Sequence, residues 1–314
     1  MACVLLADIG GTNSRFALAG SDGRPEHIRI HEHDASPDLE AAIAHYIEEV
    51  GARPDAAVLA VAGPIDGQEI TLTNRGWRFH CGKLAKRFGL SGLRVVNDFE
   101  AIAWAIPRLD PADTRRLGGP NVSPPGIKVV LGPGTGLGVA ALVPVGEGWQ
   151  VIPSEGGHAS FGPQRADEIE AFNRLFAEHG HVSAEMVISG PGLARLAHAI
   201  EPRAVRRSPE MVVADAFTGE PAALQAAELF VRFLGRFAGG LALTFKAMGG
   251  VYLAGGVASR LGSLFDAEQF HAAFVAHPPY EALLKKIPCH MMRRTEPGLL
   301  GCAVLADQFA TRTE

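Results

Sequence analysis

The stretch Cys3-Val4-Leu5-Leu6-Ala7-Asp8-Ile9-Gly10-Gly11-Thr12-Asn13-Ser14-Arg15-Phe16-Ala17-Leu18-Ala19 decides how the rest of the chain is read. Cys3–Ala7 and Arg15–Ala19 are short apolar runs joined by a Gly-Gly-Thr turn. Runs of this length bounded by turn residues read as strands. The order is strand, glycine turn, strand, where a P-loop or a dinucleotide fingerprint needs strand, loop, helix. A second turn of the same kind, Gly132-Pro133-Gly134-Thr135-Gly136-Leu137-Gly138, separates the runs Ile127–Leu131 and Val139–Val145. Counted from Gly132, the last glycine of a Gly-x-Gly-x-x-Gly string falls on Leu137, and counted from Gly134 it falls on Val139. No Gly-x-x-x-x-Gly-Lys-Ser/Thr string occurs. The echo between the two turns suggests a duplicated fold in which each half offers one turn to a shared ligand.

Further along the chain, Ser36 reads as a helix cap with Pro37 at the first position, followed by Leu39, Ile43, Tyr46, Ile47 and Val50 on one face. Ala56–Ala62 and Leu93–Val96 read as buried strands, the second delivering Asn97-Asp98 at its carboxyl end, and Phe99–Ile106 reads as a helix stopped by Pro107. Pro111, Gly118-Gly119-Pro120 and Pro124-Pro125-Gly126 mark a loop-rich crossing and a domain boundary. Helices are expected at Ala166–Glu178, Leu193–Ile200, Pro209–Phe217 and Pro221–Met248, the last loosened or closely packed at Gly239-Gly240. Val251–Ala254 reads as a strand before Gly255-Gly256, and Pro297–Phe309 as a closing helix. Strands alternating with helices imply an α/β fold.

Composition excludes several classes. With 314 residues, 47% hydrophobic and 20% charged, the chain is an ordinary globular one with length for two lobes. Lys and Arg number 29 against 34 Asp and Glu, a formal charge of −5, so nothing basic argues for nucleic acid. The apolar run Val4–Ala7 is stopped by Asp8 and has no basic flank, and no span of about 18 apolar residues occurs, so neither a signal peptide nor a membrane helix is expected. The four cysteines (Cys3, Cys81, Cys289, Cys302) form no Cys-x-x-Cys pair and read as free buried thiols in a reducing cytoplasm. Glycine is the outlier at 37 residues, about 12% against a usual ~7%.

The glycine clusters carry the chemistry. Successive glycines let backbone N–H groups converge into an anion nest, to which the Thr12 and Thr135 hydroxyls add donors. Asp8 beside such a nest can orient a hydrated Mg²⁺. One Gly-Gly turn alone would suit an ordinary hairpin. Asp98, after a buried strand, can act as the carboxylate that accepts a hydroxyl proton in phosphoryl transfer. It can equally be a helix cap, and position alone does not separate the two. Glu155 and His158 on a glycine turn present several donors and acceptors suited to sugar hydroxyls, and Glu185 precedes the turn Ser189-Gly190-Pro191-Gly192.

Taken in order, Ala7-Asp8-Ile9-Gly10-Gly11-Thr12-Asn13, Asn97-Asp98-Phe99, Gly132–Gly138, Glu155-Gly156-Gly157-His158, Ser183-Ala184-Glu185, Ser189–Gly192, Leu253-Ala254-Gly255-Gly256-Val257 and Glu296-Pro297-Gly298-Leu299-Leu300-Gly301 resemble the bacterial glucokinases of the non-ROK type. These are hexokinase-like sugar kinases of the actin-like ATPase superfamily. The resemblance covers nearly the whole chain, and no cysteine lies between Cys81 and Cys289, where ROK kinases carry a cysteine-rich zinc motif. Pro133 departs from the small residue usual in the family.

The resemblance implies a two-lobed, ribonuclease-H-like duplicated α/β fold, with a small lobe of residues 1–108 plus 297–314 and a large lobe of 109–296. It implies ATP with Mg²⁺ near Asp8, and a nucleotide site drawing on Ala7, Asp8, Ile9, Gly10, Gly11, Thr12, Gly134, Thr135, Gly190, Gly255 and Gly256. It implies Asp98 as general base on the glucose 6-hydroxyl, with Asn97, Glu155, His158, Glu185, Thr135 and Gly136 also on the sugar side, and a possible homodimer. The alternatives are a kinase for fructose or mannose, a sugar-sensing DNA-binding regulator and an actin- or chaperone-like ATPase. The regulator is disfavoured by a first strand starting at about residue 3 and by the negative charge. The Glu155, His158 and Glu185 set argues against the ATPase.

Overall fold

The computed structural model describes residues 3–10, 13–32, 36–63, 65–72 and 76–310, without the side chains of Gln308 and Ala310. The chain forms two compact units, Met1–Pro111 with Arg294–Glu314, and Ala112–Arg293.

In the first unit, β1 (Val4–Ile9) turns back into β2 (Asn13–Ala19), and β3 (Pro25–Glu32) extends the meander. Helix α1 (Leu39–Val50) leads to β4 (Ala56–Val61). After a small hairpin of β5 (Glu69–Thr71) and β6 (Arg78–His80) come α2 (Cys81–Phe88), β7 (Gly92–Asn97) and α3 (Asp98–Ala105). The sheet order is β3-β2-β1-β4-β7, with β1, β4 and β7 parallel. Every residue of β4 is buried, as an inner parallel strand covered on both faces requires. Its apolar face packs with Leu5, Phe16, Leu39, Ile43 and Tyr46 in this unit's core.

The second unit opens with β8 (Thr114–Gly118), then β9 (Lys128–Pro133), β10 (Leu137–Val145) and β11 (Gly148–Ser154). Helices α4 (Ile169–His179), α5 (Ala184–Val187), α6 (Gly190–Ile200), α7 (Pro209–Phe217) and α8 (Pro221–Thr244) follow. Then come β12 (Gly250–Leu253), α9 (Gly256–Arg260), α10 (Ala267–Val275), α11 (Glu281–Leu284) and β13 (Cys289–Met292). The sheet order is β11-β10-β9-β12-β13-β8. The chain then returns to the first unit as α12 (Pro297–Ala310), which packs on α3, β1 and β4.

The two sheets repeat one plan. Each has an antiparallel meander running outward from its first central strand, then two strands added in parallel on the other side. The Gly10 turn joins β1 to β2 and the Gly134 turn joins β9 to β10, so the two turns occupy equivalent places in a duplicated topology.

Several expectations are corrected. The cap of α1 is Asp38, whose carboxylate accepts from Ala41 N at 2.7 Å; Ser36 lies two residues too early to serve. The loop-rich crossing contains β8, which buries only Leu117 and so shows no apolar run. The strands β3 and β11, mostly polar or exposed, were not legible as apolar runs either. Helix α8 ends at Thr244 because Lys246 turns the chain at a positive φ of 48°. Of the four thiols, which are free, only Cys289 and Cys302 are buried.

At Gly239-Gly240 close packing is the answer, and it extends to Gly235. A Cβ on Gly235 would stand 2.3 Å from the Phe270 carbonyl, and one on Gly239 2.3 Å from that of Phe274, both against α10. Gly240 has no such neighbour within 4 Å. Gly235→Ala should therefore destabilise by about 1–3 kcal/mol through overpacking. Gly240→Ala should be neutral or stabilise by up to about 1 kcal/mol. Chemical denaturation of the two variants checks the contrast.

Candidate active site

In the first unit, the carboxyl ends of β1, β4 and β7 are in register, with Ile9, Val61 and Asn97 in one row. Ligands of open α/β sheets gather at such an edge. With strands ~4.8 Å apart, β1 and β7 stand about 10 Å from one another. Asp8 and the Asn97-Asp98 pair thus share the same end of one sheet.

Asn97 caps α3. The Phe99 N–H donates to Asn97 Oδ1 and to Asp98 Oδ1, each at 2.9 Å, and Glu100 N reaches Asn97 Oδ1 at 3.4 Å. Asn97 Nδ2 donates to the Gly63 carbonyl at 3.2 Å, tying the end of β7 to the end of β4. Asn97 is the N-cap residue of α3, and Asp98, whose capping the sequence leaves open, shares the Phe99 N–H with it. Asp98 is the first residue of the helix and half-buried, where the partial positive charge of the helix N-terminus favours a carboxylate.

Asp8 points from β1 across to Arg15 on β2, its register partner, with Arg15 Nη1 at 3.7 Å from Asp8 Oδ2. Its side chain is only 15% exposed. Burial pushes the Asp8 carboxyl above its usual range, Arg15 opposes that rise and Glu296 adds to it. The start of α12 comes close enough that a Cβ on Gly298 would stand 2.7 Å from Asp8 Oδ2. Beneath, the buried Cys302 thiol faces the Ala7 carbonyl at 3.5 Å, and burial holds that thiol protonated. Ala7 and Ile9 are themselves buried in β1, and the Gly10 N–H closes the hairpin on Asn13 O at 3.1 Å. Gly11 and Thr12 lie outside the described residues.

Asp8 suits Mg²⁺. The ion takes oxygen ligands and retains waters, so it needs few protein groups beside phosphate oxygens. Asp8 is a nearly buried carboxylate whose cationic neighbour stands beyond hydrogen-bond reach.

In the second unit, the Gly134 N–H donates to Gly136 O and the Gly190 N–H donates to Gly134 O, both at 2.8 Å. The polar backbone groups of Gly134 are thereby spent inside the protein, and Thr135 is the exposed tip of the turn. Gly190, at the start of α6, and Gly255, before α9, approach this same turn. A Cβ would meet Gly134 O at 3.3 Å from the former and Pro133 O at 2.6 Å from the latter, and Gly255 adopts φ 93°. These two glycines thus serve first to bring two helix starts against the turn. Gly256 is exposed beside Gly255.

Leu137 links this turn to the other polar groups. Its N–H donates to Glu185 Oε2 at 2.9 Å, and a Cβ on Gly136 would stand 2.6 Å from that oxygen. Its carbonyl would meet a Cβ on Gly157 at 2.1 Å, so the Glu155–His158 turn seats directly on it. Glu155 and His158 are 68% and 62% exposed, with 4.0 Å between Oε2 and Nε2. The Ser160–Ser183 bridge and the Ala184 N–H to Ala159 O bond, at 2.9 Å, join the His158 and Glu185 segments. Glu155, His158, Glu185, Thr135 and Gly136 are thus brought together.

A glucokinase family model matches residues 5–309. The chain belongs to the glucokinase family. Among its glucokinase relatives, the bifunctional protein glk of Burkholderia thailandensis is 40% identical over 316 residues, 98% of this chain and 49% of that protein. The chain spans about half the length of the bifunctional relatives it matches. The glucokinase of Tolumonas auensis is 39% identical over 97% of both chains. Among solved structures, a glucokinase from an Antarctic psychrotroph aligns with a TM-score of 0.88 at 32% identity, over 98% of this chain and 99% of that one. The Balamuthia mandrillaris glucokinase, solved with glucose, aligns at 0.80 and 25% identity over 98% and 94%.

Within this glucokinase frame, sequence reasoning missed Arg15, Gly63 and Glu296. Arg15 was recoverable, because a hairpin turning at Gly10–Asn13 pairs residue 8 with residue 15. Gly63 and Glu296 reach the site only through tertiary structure.

A carboxyl with a raised folded-state pKa contributes most stability when protonated and loses that contribution as pH rises through the raised value. Asp8→Asn should therefore raise the melting temperature of the ligand-free protein at neutral pH by about 2–4 °C for each kcal/mol relieved. The gain should vanish at acid pH, where the wild-type carboxyl is neutral too. The same variant should bind Mg²⁺·ATP more weakly. Thermal melts across pH, with and without Mg²⁺·ATP, check all three.

Proposed function

We propose that this chain transfers the γ-phosphoryl group of ATP to the 6-hydroxyl of glucose, giving glucose 6-phosphate and ADP. Family membership over residues 5–309 carries the reading. The placement of Asp98, at the carboxyl end of a parallel strand and at the start of α3 beside the capping Asn97, supports its chemical half.

Asp98 accepts the proton of the 6-hydroxyl as that oxygen bonds to the γ-phosphorus and the bridging P–O bond to ADP breaks. Such a base contributes about 10²–10⁴-fold. Asn97 holds the helix start that aims Asp98, and its remaining amide hydrogen is available to a sugar oxygen. Glu155 and His158 reach outward to pair with ring hydroxyls, and Glu185 offers its second carboxylate oxygen while the first fixes Leu137. A site built on such pairs discriminates sharply, because a sugar lacking one hydroxyl leaves a polar group unpaired. Thr135 donates its hydroxyl at the tip of its turn, and Gly10 and Gly136 each leave one position of a turn without a side chain. Asp8 would hold a Mg²⁺, which would supply charge neutralisation on the phosphates.

Asp98→Ala should abolish hexose-dependent ADP formation while leaving ATP binding nearly intact; near-normal turnover removes Asp98 from the base role. Glucose at a hundredfold excess over its Kd should stabilise the wild type by about 2.7 kcal/mol. A coupled ADP assay over glucose, fructose and mannose tests the substrate, and a faster rate on fructose overturns it.

A further inference from the structure

Residues 158–167, which follow the Glu155–Gly157 turn, are exposed at every position except the half-buried Phe161. Apolar burial therefore does little to hold this stretch. One wall of it borders an open cleft of about 570 Å³, beside Gln164 and Arg165. Its inward-facing points are Gly157 at one end, the half-buried Phe161 in the middle and the fully buried Glu168 at the other end, and backbone bonds from Ala159 and Phe161 tie its first part to residues 182–184.

One side chain from α8 holds two of these three points. Arg236, itself buried, donates from Nη1 to Glu168 Oε2 at 2.7 Å and from Nη2 to the Gly162 carbonyl at 2.8 Å. Its guanidinium lies 4.5 Å from the Phe161 ring centroid and 5.0 Å from that of Phe233. The same Glu168 oxygen accepts from Gln164 N at 2.9 Å, so the loop closes on the carboxylate that Arg236 fixes. The planar fork and flat face of arginine satisfy all of these partners at once, which a lysine ammonium cannot do. From Phe161 the restraint passes to its neighbour Ser160, bridged to Ser183, and so to the segments carrying His158 and Glu185.

We propose that Arg236, paired with Glu168, is a positioning residue for the sugar: it sets the stretch that aims His158 and Glu155 without touching substrate. The inference rests on the kinase reading above for its effect on glucose, but the restraint itself does not.

The test uses Arg236→Lys, which keeps the charge and loses the fork, and Glu168→Gln, which keeps the shape and loses the ion pair. Each should raise the KM for glucose about tenfold while the KM for ATP and kcat change less than about threefold. Hydrogen exchange should quicken at the amides of 158–164 in both variants, with the β9 and β12 amides unchanged. A lowered melting temperature with unchanged glucose KM and unchanged exchange at 158–164 would mean a purely structural ion pair and overturns the proposal. If the wild type forms no ADP with any hexose, the kinase reading fails. Exchange at 158–164 then still decides whether Arg236 restrains the stretch.

Discussion

The backbone amide and carbonyl of Leu137 are the constraint on which the second unit's polar cluster depends. The amide is held by the Glu185 carboxylate at 2.9 Å, and the carbonyl is approached so closely by residue 157 that a side chain there has no room. A buried backbone group must find a partner. Here a charged side chain from α5 satisfies it, and the same bond fixes the distance from the Thr135 turn to Glu185. The second-unit residues proposed for the sugar are therefore arranged around the backbone of one residue, Leu137. No single secondary element orients them.

The first unit solves the same problem with a side-chain amide. Asn97 spends its oxygen on the start of α3 and a hydrogen on the end of β4, so the neighbouring carboxylate is aimed without serving as the principal cap. Asp98 shares the Phe99 N–H with that cap, so both neighbours face the helix start. Asp8, by contrast, sits nearly buried with Arg15 and Glu296 pulling in opposite directions. A carboxylate held in that balance is costly to the free protein.

Much of this was legible in the residues. The two Gly/Thr turns, the buried run Ala56–Val61 and the Asn97-Asp98 step mark the central strands, because continuous apolar runs and glycine punctuation report local conformation. The strands β3, β8 and β11 were not legible, since each has a polar or exposed face and draws its pairing from the sheet. The reason for Gly190 and Gly255 also escaped a linear reading: both are glycines because distant backbone passes within van der Waals reach. The same holds for Glu168 and Arg236, which stand 68 residues apart and form a buried pair that no sequence period links. Such a pair is seldom a net gain over apolar packing, yet removing one partner costs about 3–5 kcal/mol.

The outermost strand of the second sheet has a consequence of another kind. The two sheets share five strands in the same order, but the second adds β8, which pairs antiparallel with β13 across an irregular register. An uncovered parallel strand is a template on which a foreign chain can dock by strand addition. β8 occupies that template on β13 and turns Arg115 and Arg116 to solvent, so the sheet ends in charge at a place where aggregation would otherwise begin.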